Sequence, residues 1–219
     1  MGIWAIVPIK SFDSVKKRLA SALTPEERRL LMLAMARDVL TALSRSQHLS
    51  GTLIVSRAPE ADALAQTFGT ERFAESPDAT LPGALTQAAT YLRESRNATG
   101  VFIIPADVPL VTATEIDEIL QKHQRVSIVP DTDHIGTNAL VCSPPDAIPY
   151  TFDGTSFKPH LKAARDAGLD PSIVEARGLS LDIDVPDDLL ELLRRKPDCQ
   201  TATYLSRAGI SARLIPGQS

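Results

Sequence analysis

The chain is short of cysteine, of excess charge of either sign and of long apolar runs. It has two cysteines in 219 residues, Cys142 and Cys199, too few for a disulfide framework or a cysteine-based metal motif. A reduced, cytoplasmic protein is the expectation. Lysine and arginine number 23 against 27 acids, a formal charge of -4. That balance gives no general attraction to nucleic acid or to a membrane surface, so an anionic ligand has to be held by a local cluster of basic groups. No apolar run approaches the roughly 20 residues of a membrane span. The amino terminus, "MGIWAIVPIK", lacks a basic start and a small-residue cleavage site, and reads as a first strand rather than a signal peptide. A Gly-rich phosphate loop of the P-loop or dinucleotide type is also missing. The lone tryptophan, Trp4, reads as core rather than as a base-stacking platform.

What is present is an alternation that runs almost throughout. Apolar runs of strand length ("IWAIVPI", "TLIVS", "GVFIIPA", "VSIVPD", "TNALVCS", "PSIVEA", with "ERFAE" a further candidate) are separated by stretches of helical periodicity. Helix starts are marked at Thr24, with Pro25 and Glu27 behind it, and near Thr112 or Thr114. "TLPGALTQAATYLRESR" is a helix with Pro82 and Gly83 in its first turn. "SFKPHLKAARDAGL" is helical from about Phe157, and "VPDDLLELLRRK" carries acids first and bases last, as the helix dipole favours. The pattern predicts an α/β fold with a mostly parallel central sheet and helices on both faces. One domain is expected over 1–219, with a core over 1–196 and a weakly patterned tail over 197–219 that packs as an appendage or frays.

Three features carry chemistry. In "FIIPADVPLV" an apolar strand runs into one carboxylate, Asp107, at the strand end where open α/β sheets bind ligands. Taken alone, that residue is equally well read as a turn or helix cap. "LSLDIDVPDDL" places Asp182 and Asp184 two residues apart. In extended chain both face one side, about 7 Å apart, and a divalent cation such as Mg²⁺ is the simplest means of relieving their repulsion. Asp187 and Asp188 belong instead to the start of the following helix. "PIKSFDSVKKRLA" sets Lys10, Lys16, Lys17 and Arg18 just past the first strand, at the end of the sheet suited to a polyphosphate. Lys17 reads as solvated, whereas Lys10 ends an apolar strand as Asp107 does.

The motifs "VPIK", "KKRLA", "PADVPL", "GTNAL", "SFKPH" and "DIDVPDDL", in that order from Val7 to Leu189, resemble the phospholactate guanylyltransferase family of coenzyme F420 biosynthesis. The resemblance implies a single-domain, Rossmann-like nucleotidyltransferase fold of glycosyltransferase-A type. It implies transfer of GMP from GTP to a phosphorylated three-carbon acid, with release of pyrophosphate. By that similarity Asp107, Asp182 and Asp184 hold Mg²⁺, Lys10, Lys16 and Arg18 face the nucleotide phosphates, and Thr137 and Ser156 hold the acid. Lys10, Lys16 and Asp107 are the expected catalytic residues. Two motifs depart from the family pattern: "LPGAL" stands where "LNAAL" is expected, and "FDGTSF" where a loop like "FGPGSF" is expected. The more polar loop, with Asp153 and Thr155, leans toward 3-phospho-D-glycerate over phosphoenolpyruvate or 2-phospho-L-lactate. His160, one helical turn past Ser156, reads as a structural or ligand-orienting group, and His48, His123 and His134 as surface or loop residues. The expected partners are GTP and the acid, without nucleic acid or membrane; a homodimer and a hand-off of product to the next enzyme of the pathway are left open. Two other readings remain: another nucleotidyltransferase of the same fold, and a nucleotide-binding regulator without catalysis.

Overall fold

A computed structural model describes residues 2–9, 12, 16–76 and 78–215. Seven strands form one sheet in the order β3-β2-β1-β4-β6-β5-β7. They are β1 (Ile3–Pro8), β2 (Leu49–Val55), β3 (Glu71–Phe73), β4 (Gly100–Ile103), β5 (Val126–Pro130), β6 (Thr137–Cys142) and β7 (Ser172–Ile173). All run parallel except β6, which is antiparallel to both β4 and β5. Only a short loop joins β5 to β6, and a parallel crossover needs a dozen residues or more, so the chain must turn back as a hairpin.

The central strands are buried on both faces, and their side chains divide by the two-residue period. Ala5, Val7, Phe102, Ile104, Ala139 and Val141 enter one core. Ile6, Val101, Ile103, Leu140 and Cys142 enter the other. On the first face pack α1 (Pro25–Arg45), α2 (Glu60–Phe68), α4 (Ala113–Lys122) and α6 (Pro186–Arg195), through Leu31, Met35, Leu64, Ile116 and Leu189. The second face is covered by α3 (Leu81–Arg96) and α5 (Phe157–Asp166), through Leu85, Leu92, Phe157 and Ala164. Trp4 packs against this second core, as its sequence context suggests.

The helix starts follow the expected chemistry. Thr24 with Glu27 and Thr112 with Glu115 each form a reciprocal capping box, and Thr80 caps α3 through the Gly83 amide. Two elements differ from expectation. "PSIVEA" yields a strand of only two residues, both exposed, at the edge of the sheet. The tail beyond Lys196 folds into α7 (Gln200–Arg207) and α8 (Ile210–Leu214) and completes the first core through Leu205 and Ile210. Asp38 of α1 holds it there, accepting the Gln200 and Thr201 amides at 2.8 Å and the Thr201 hydroxyl at 2.6 Å.

From β1 the chain moves to β2 and β3 on one side, then crosses to β4 on the other. The crevice where such connections part is the place at which open α/β sheets bind ligands. The segments after β1 and β4, which carry Lys16 and Asp107, open into it.

Candidate active site

A cleft of about 1060 Å³ lies over this crevice. Asp107 and Asp184 line it together with Lys16, Lys17 and Arg18. The wall on the β2–β3 side carries Arg57, Glu75 and Thr80. Lys10 lies outside the described residues.

Three segments distant in sequence meet at the cleft floor. The Ile183 amide donates to the Asp107 carbonyl at 3.0 Å, which pins the 182–184 stretch against the residue after β4. Asp188 in the first turn of α6 accepts the Asp184 and Val185 amides at 2.8 and 2.7 Å. This satisfies backbone donors that a helix start otherwise leaves unpaired, and it turns the chain so that Asp184 faces Asp107. Between them sits the Lys16 ammonium, 2.5 Å from Asp107 Oδ2 and 2.5 Å from Asp184 Oδ1. Lys16 has a positive φ of 52°, an uncommon backbone state for a long side chain. Burial alone would lower its pKa, but the two carboxylates outweigh that and hold it above the ordinary lysine range.

Asp182 is the unbalanced member. Burial first, then the like charges of Asp107 and Asp184, raise its carboxyl to about 6, and the Asn138 amide at 3.3 Å is a modest counterweight. The three carboxylates therefore lie within electrostatic reach of one another. Among the described residues, however, no group of three His, Cys, Asp or Glu side chains is drawn together to hold a metal ion as it stands. The cation between Asp107 and Asp184 is Lys16. Arg18 is peripheral, 3.9 Å from Asp184 and largely exposed.

The two residues expected to hold an acid lie beside the cleft rather than on its wall. Thr137 begins β6 and Ser156 precedes α5, and both are buried. The Phe157 amide donates to the Ile135 carbonyl at 3.0 Å, stitching the start of α5 to the turn before β6. Gly154, which does line the cleft, lies against Gly136, where an added Cβ would come 3.6 Å from the Gly154 carbonyl oxygen. Asp131 shapes the same turn by accepting the Ile135 and Gly136 amides at 2.8 and 2.7 Å. Thr155 spends its amide and hydroxyl on Asp153, at 3.0 and 3.1 Å. His160 is fully buried and bonded through both ring nitrogens. His123 is not the plain surface residue expected: it is half-buried between the Ser127 and Ser143 hydroxyls, and burial lowers its pKa to about 4.

Sequence reasoning missed Asn138, which also donates to the Leu179 carbonyl at 2.8 Å and so ties β6 to the Asp182 segment. It stands inside "GTNAL", where a buried amide on a strand was a usable signal. The cleft wall of Arg57, Glu75 and Thr80 carried no such signal, because its residues come from two separate loops, after β2 and after β3.

The family model described as guanylyl transferase CofC like matches residues 3–217. A phosphoenolpyruvate guanylyltransferase of Sphaerobacter thermophilus is 35% identical over 195 residues, 88% of this chain and 93% of that protein. A 2-phospho-L-lactate guanylyltransferase of Methanothermobacter thermautotrophicus is 31% identical over 214 residues, 97% of this chain and 94% of that one. Among solved structures, a nucleotidyl transferase from the latter organism superimposes with a TM-score of 0.65 at 17% identity, covering 89% of this chain and 97% of that one.

Proposed function

The chain belongs to the CofC-like guanylyl transferases, and from that premise we propose that it moves GMP from GTP onto the phosphate of a phosphorylated three-carbon acid, releasing pyrophosphate. The observation that carries this reading is the paired Asp107 and Asp184 carboxylates around the buried Lys16 ammonium, at the floor of a nucleotide-sized cleft.

The acid's phosphate oxygen is the nucleophile. Its second pKa is about 6, so it arrives ionised and needs no general base. Among the described residues no histidine lines the cleft, and the ring nitrogens of His160 are engaged elsewhere. The difficulty is electrostatic. Two unit charges 4 Å apart cost about 4 kcal/mol at an effective dielectric of 20, and two polyanions bring several such pairs. Lys16 and Arg18 supply cationic charge on the nucleotide side. Asp107, Asp182 and Asp184 form an all-oxygen donor set suited to a hard divalent cation. The Lys16 ammonium between Asp107 and Asp184 supports a cation position at that pair, and burial together with the like charges of Asp107 and Asp184, which raise Asp182, is in keeping with a further cation there. We assign these three as the residues that would hold Mg²⁺, which when bound neutralises phosphate charge. The protein's own contribution is to position the two anions and screen their repulsion.

Thr137 and Ser156 are the proposed acid contacts, beside the Gly154 edge of the cleft. The loop gives little support to 3-phospho-D-glycerate, because the Thr155 hydroxyl expected to meet the substrate's hydroxyl is engaged by Asp153. Phosphoenolpyruvate and 2-phospho-L-lactate, named for the relatives, are the favoured acids, and the proposed product is an intermediate of coenzyme F420 assembly. Purified protein given GTP, Mg²⁺ and each of the three acids, with pyrophosphate detection, tests this. Turnover is expected with GTP and at least one acid. Turnover with CTP or UTP in place of GTP would move the protein to another nucleotidyltransferase class.

A further inference from the structure

His160 is the one histidine whose ring is fully enclosed while both nitrogens are bonded, and nothing in the reaction uses it directly. Its bonds fix its state. The Thr151 amide donates to Nε2 at 2.9 Å, so Nε2 is a bare acceptor. A neutral imidazole then carries its proton on Nδ1, and Nδ1–H donates to the Thr137 hydroxyl oxygen at 3.0 Å. Phe152 closes over the ring, edge to face at 5.1 Å. Burial lowers the pKa of the ring to about 4, in keeping with a neutral donor.

The consequence falls on Thr137. Its oxygen accepts from His160, so its own O–H proton must point elsewhere, and no described residue offers it an acceptor. A buried hydroxyl proton without a partner is costly unless water or a ligand completes it. The hydroxyl sits beside the Gly136–Gly154 contact that borders the cleft. We propose that His160 is a positioning residue for the acceptor substrate: it fixes the Thr137 hydroxyl as a hydrogen-bond donor aimed at an anionic oxygen of the acid, and it ties the 151–156 loop to that same hydroxyl. The inference rests on the guanylyltransferase reading and on Thr137 as an acid contact.

Two substitutions separate the two bonds. His160→Asn keeps a donor near Nδ1 and gives up the acceptor for Thr151. His160→Gln reaches the Nε2 position with an acceptor and gives up the donor to Thr137. If His160 orients Thr137, H160Q raises KM for the acid by about tenfold, in line with one hydrogen bond to a charged group. KM for GTP and kcat stay unchanged, and H160N, which loses only the Thr151 tie, raises KM for the acid by less than H160Q does. The double variant T137V/H160Q is then no worse than T137V alone. The reverse ranking of H160N and H160Q, equal rises in both KM values, or multiplicative effects with T137V would overturn the inference. ¹⁵N NMR of the imidazole gives a reading independent of activity: a bare Nε2 and protonated Nδ1 at neutral pH are expected, and an Nε2–H tautomer or an imidazolium would overturn it. Absence of pyrophosphate release by the wild type with every acid would instead overturn the functional reading beneath it.

Discussion

Replacing Lys16 by methionine removes the cation that Asp107 and Asp184 share while keeping most of the side chain's apolar stem. Both carboxylate oxygens lie 2.5 Å from Nζ, so they are at most about 5 Å apart, and at an effective dielectric of 20 their unscreened repulsion is about 3 kcal/mol. Breaking a buried ion pair by removing one partner costs roughly 3–5 kcal/mol. Lys16 is buried but Asp184 is 44% exposed, and water will screen part of that. A loss of about 2–3 kcal/mol follows, or roughly 4–12 °C in Tm for a chain of this length. The same change should raise affinity for a divalent cation, because the carboxylates no longer have an internal competitor. Titration of nucleotide-free protein with Mn²⁺, followed by electron paramagnetic resonance, reads this directly. K16M should bind Mn²⁺ several-fold more tightly than wild type, and added Mn²⁺ should restore much of the lost Tm. Mn²⁺ affinity equal to or weaker than wild type, with an unchanged Tm, would refute the idea that Lys16 occupies a cation position.

Asp182 gives a prediction of opposite sign. Its folded-state pKa, about 6, lies above the ordinary aspartate value, so the folded state keeps the proton longer than the unfolded chain. The stability this confers is present below about pH 4 and is lost as pH rises through 6. Asp182→Asn should therefore stabilise the ligand-free protein above pH 6, by something on the order of 1–3 kcal/mol, while suppressing pyrophosphate release. Equal melting curves of wild type and D182N at pH 5 and pH 8 would contradict it. Asp38→Ala should cost roughly 2–4 kcal/mol, because it strands the two amides and one hydroxyl at the start of α7. Hydrogen exchange should rise across 200–214 and leave β1 and β4 protected; uniform loss of protection would show the tail to be part of one cooperative unit.

Much of the fold was legible because it depends on neighbours in sequence. Thr24 and Glu27, or Thr112 and Glu115, satisfy each other across three residues, and the strand runs announce burial on both faces. The tail was opaque for the converse reason. The start of α7 is held by the Cys199 sulfur, which accepts from the Ala202 amide at 3.4 Å, and by Asp38 from the far side of the chain. Neither is a local signal of a helix start. At the site, the convergence of Asp107 with Asp182 and Asp184 could be argued from strand ends and like-charge spacing. The position of Lys16 could not: basic residues after β1 point to phosphate, whereas the pairing with Asp107 and Asp184 depends on contacts 91 and 168 residues away. The two bonds of His160 join β6, the 151–156 loop and α5, and sequence spacing showed only that it lies one turn from Ser156.

The most direct test of the central claim follows the α-phosphate of GTP. With GTP labelled at that position, Mg²⁺ and either phosphoenolpyruvate or 2-phospho-L-lactate, wild type should move the label onto the acid in step with pyrophosphate release. Asp107→Asn and Asp184→Asn, each folded by circular dichroism, should move none. Label transfer at wild-type rates by both variants would contradict the account.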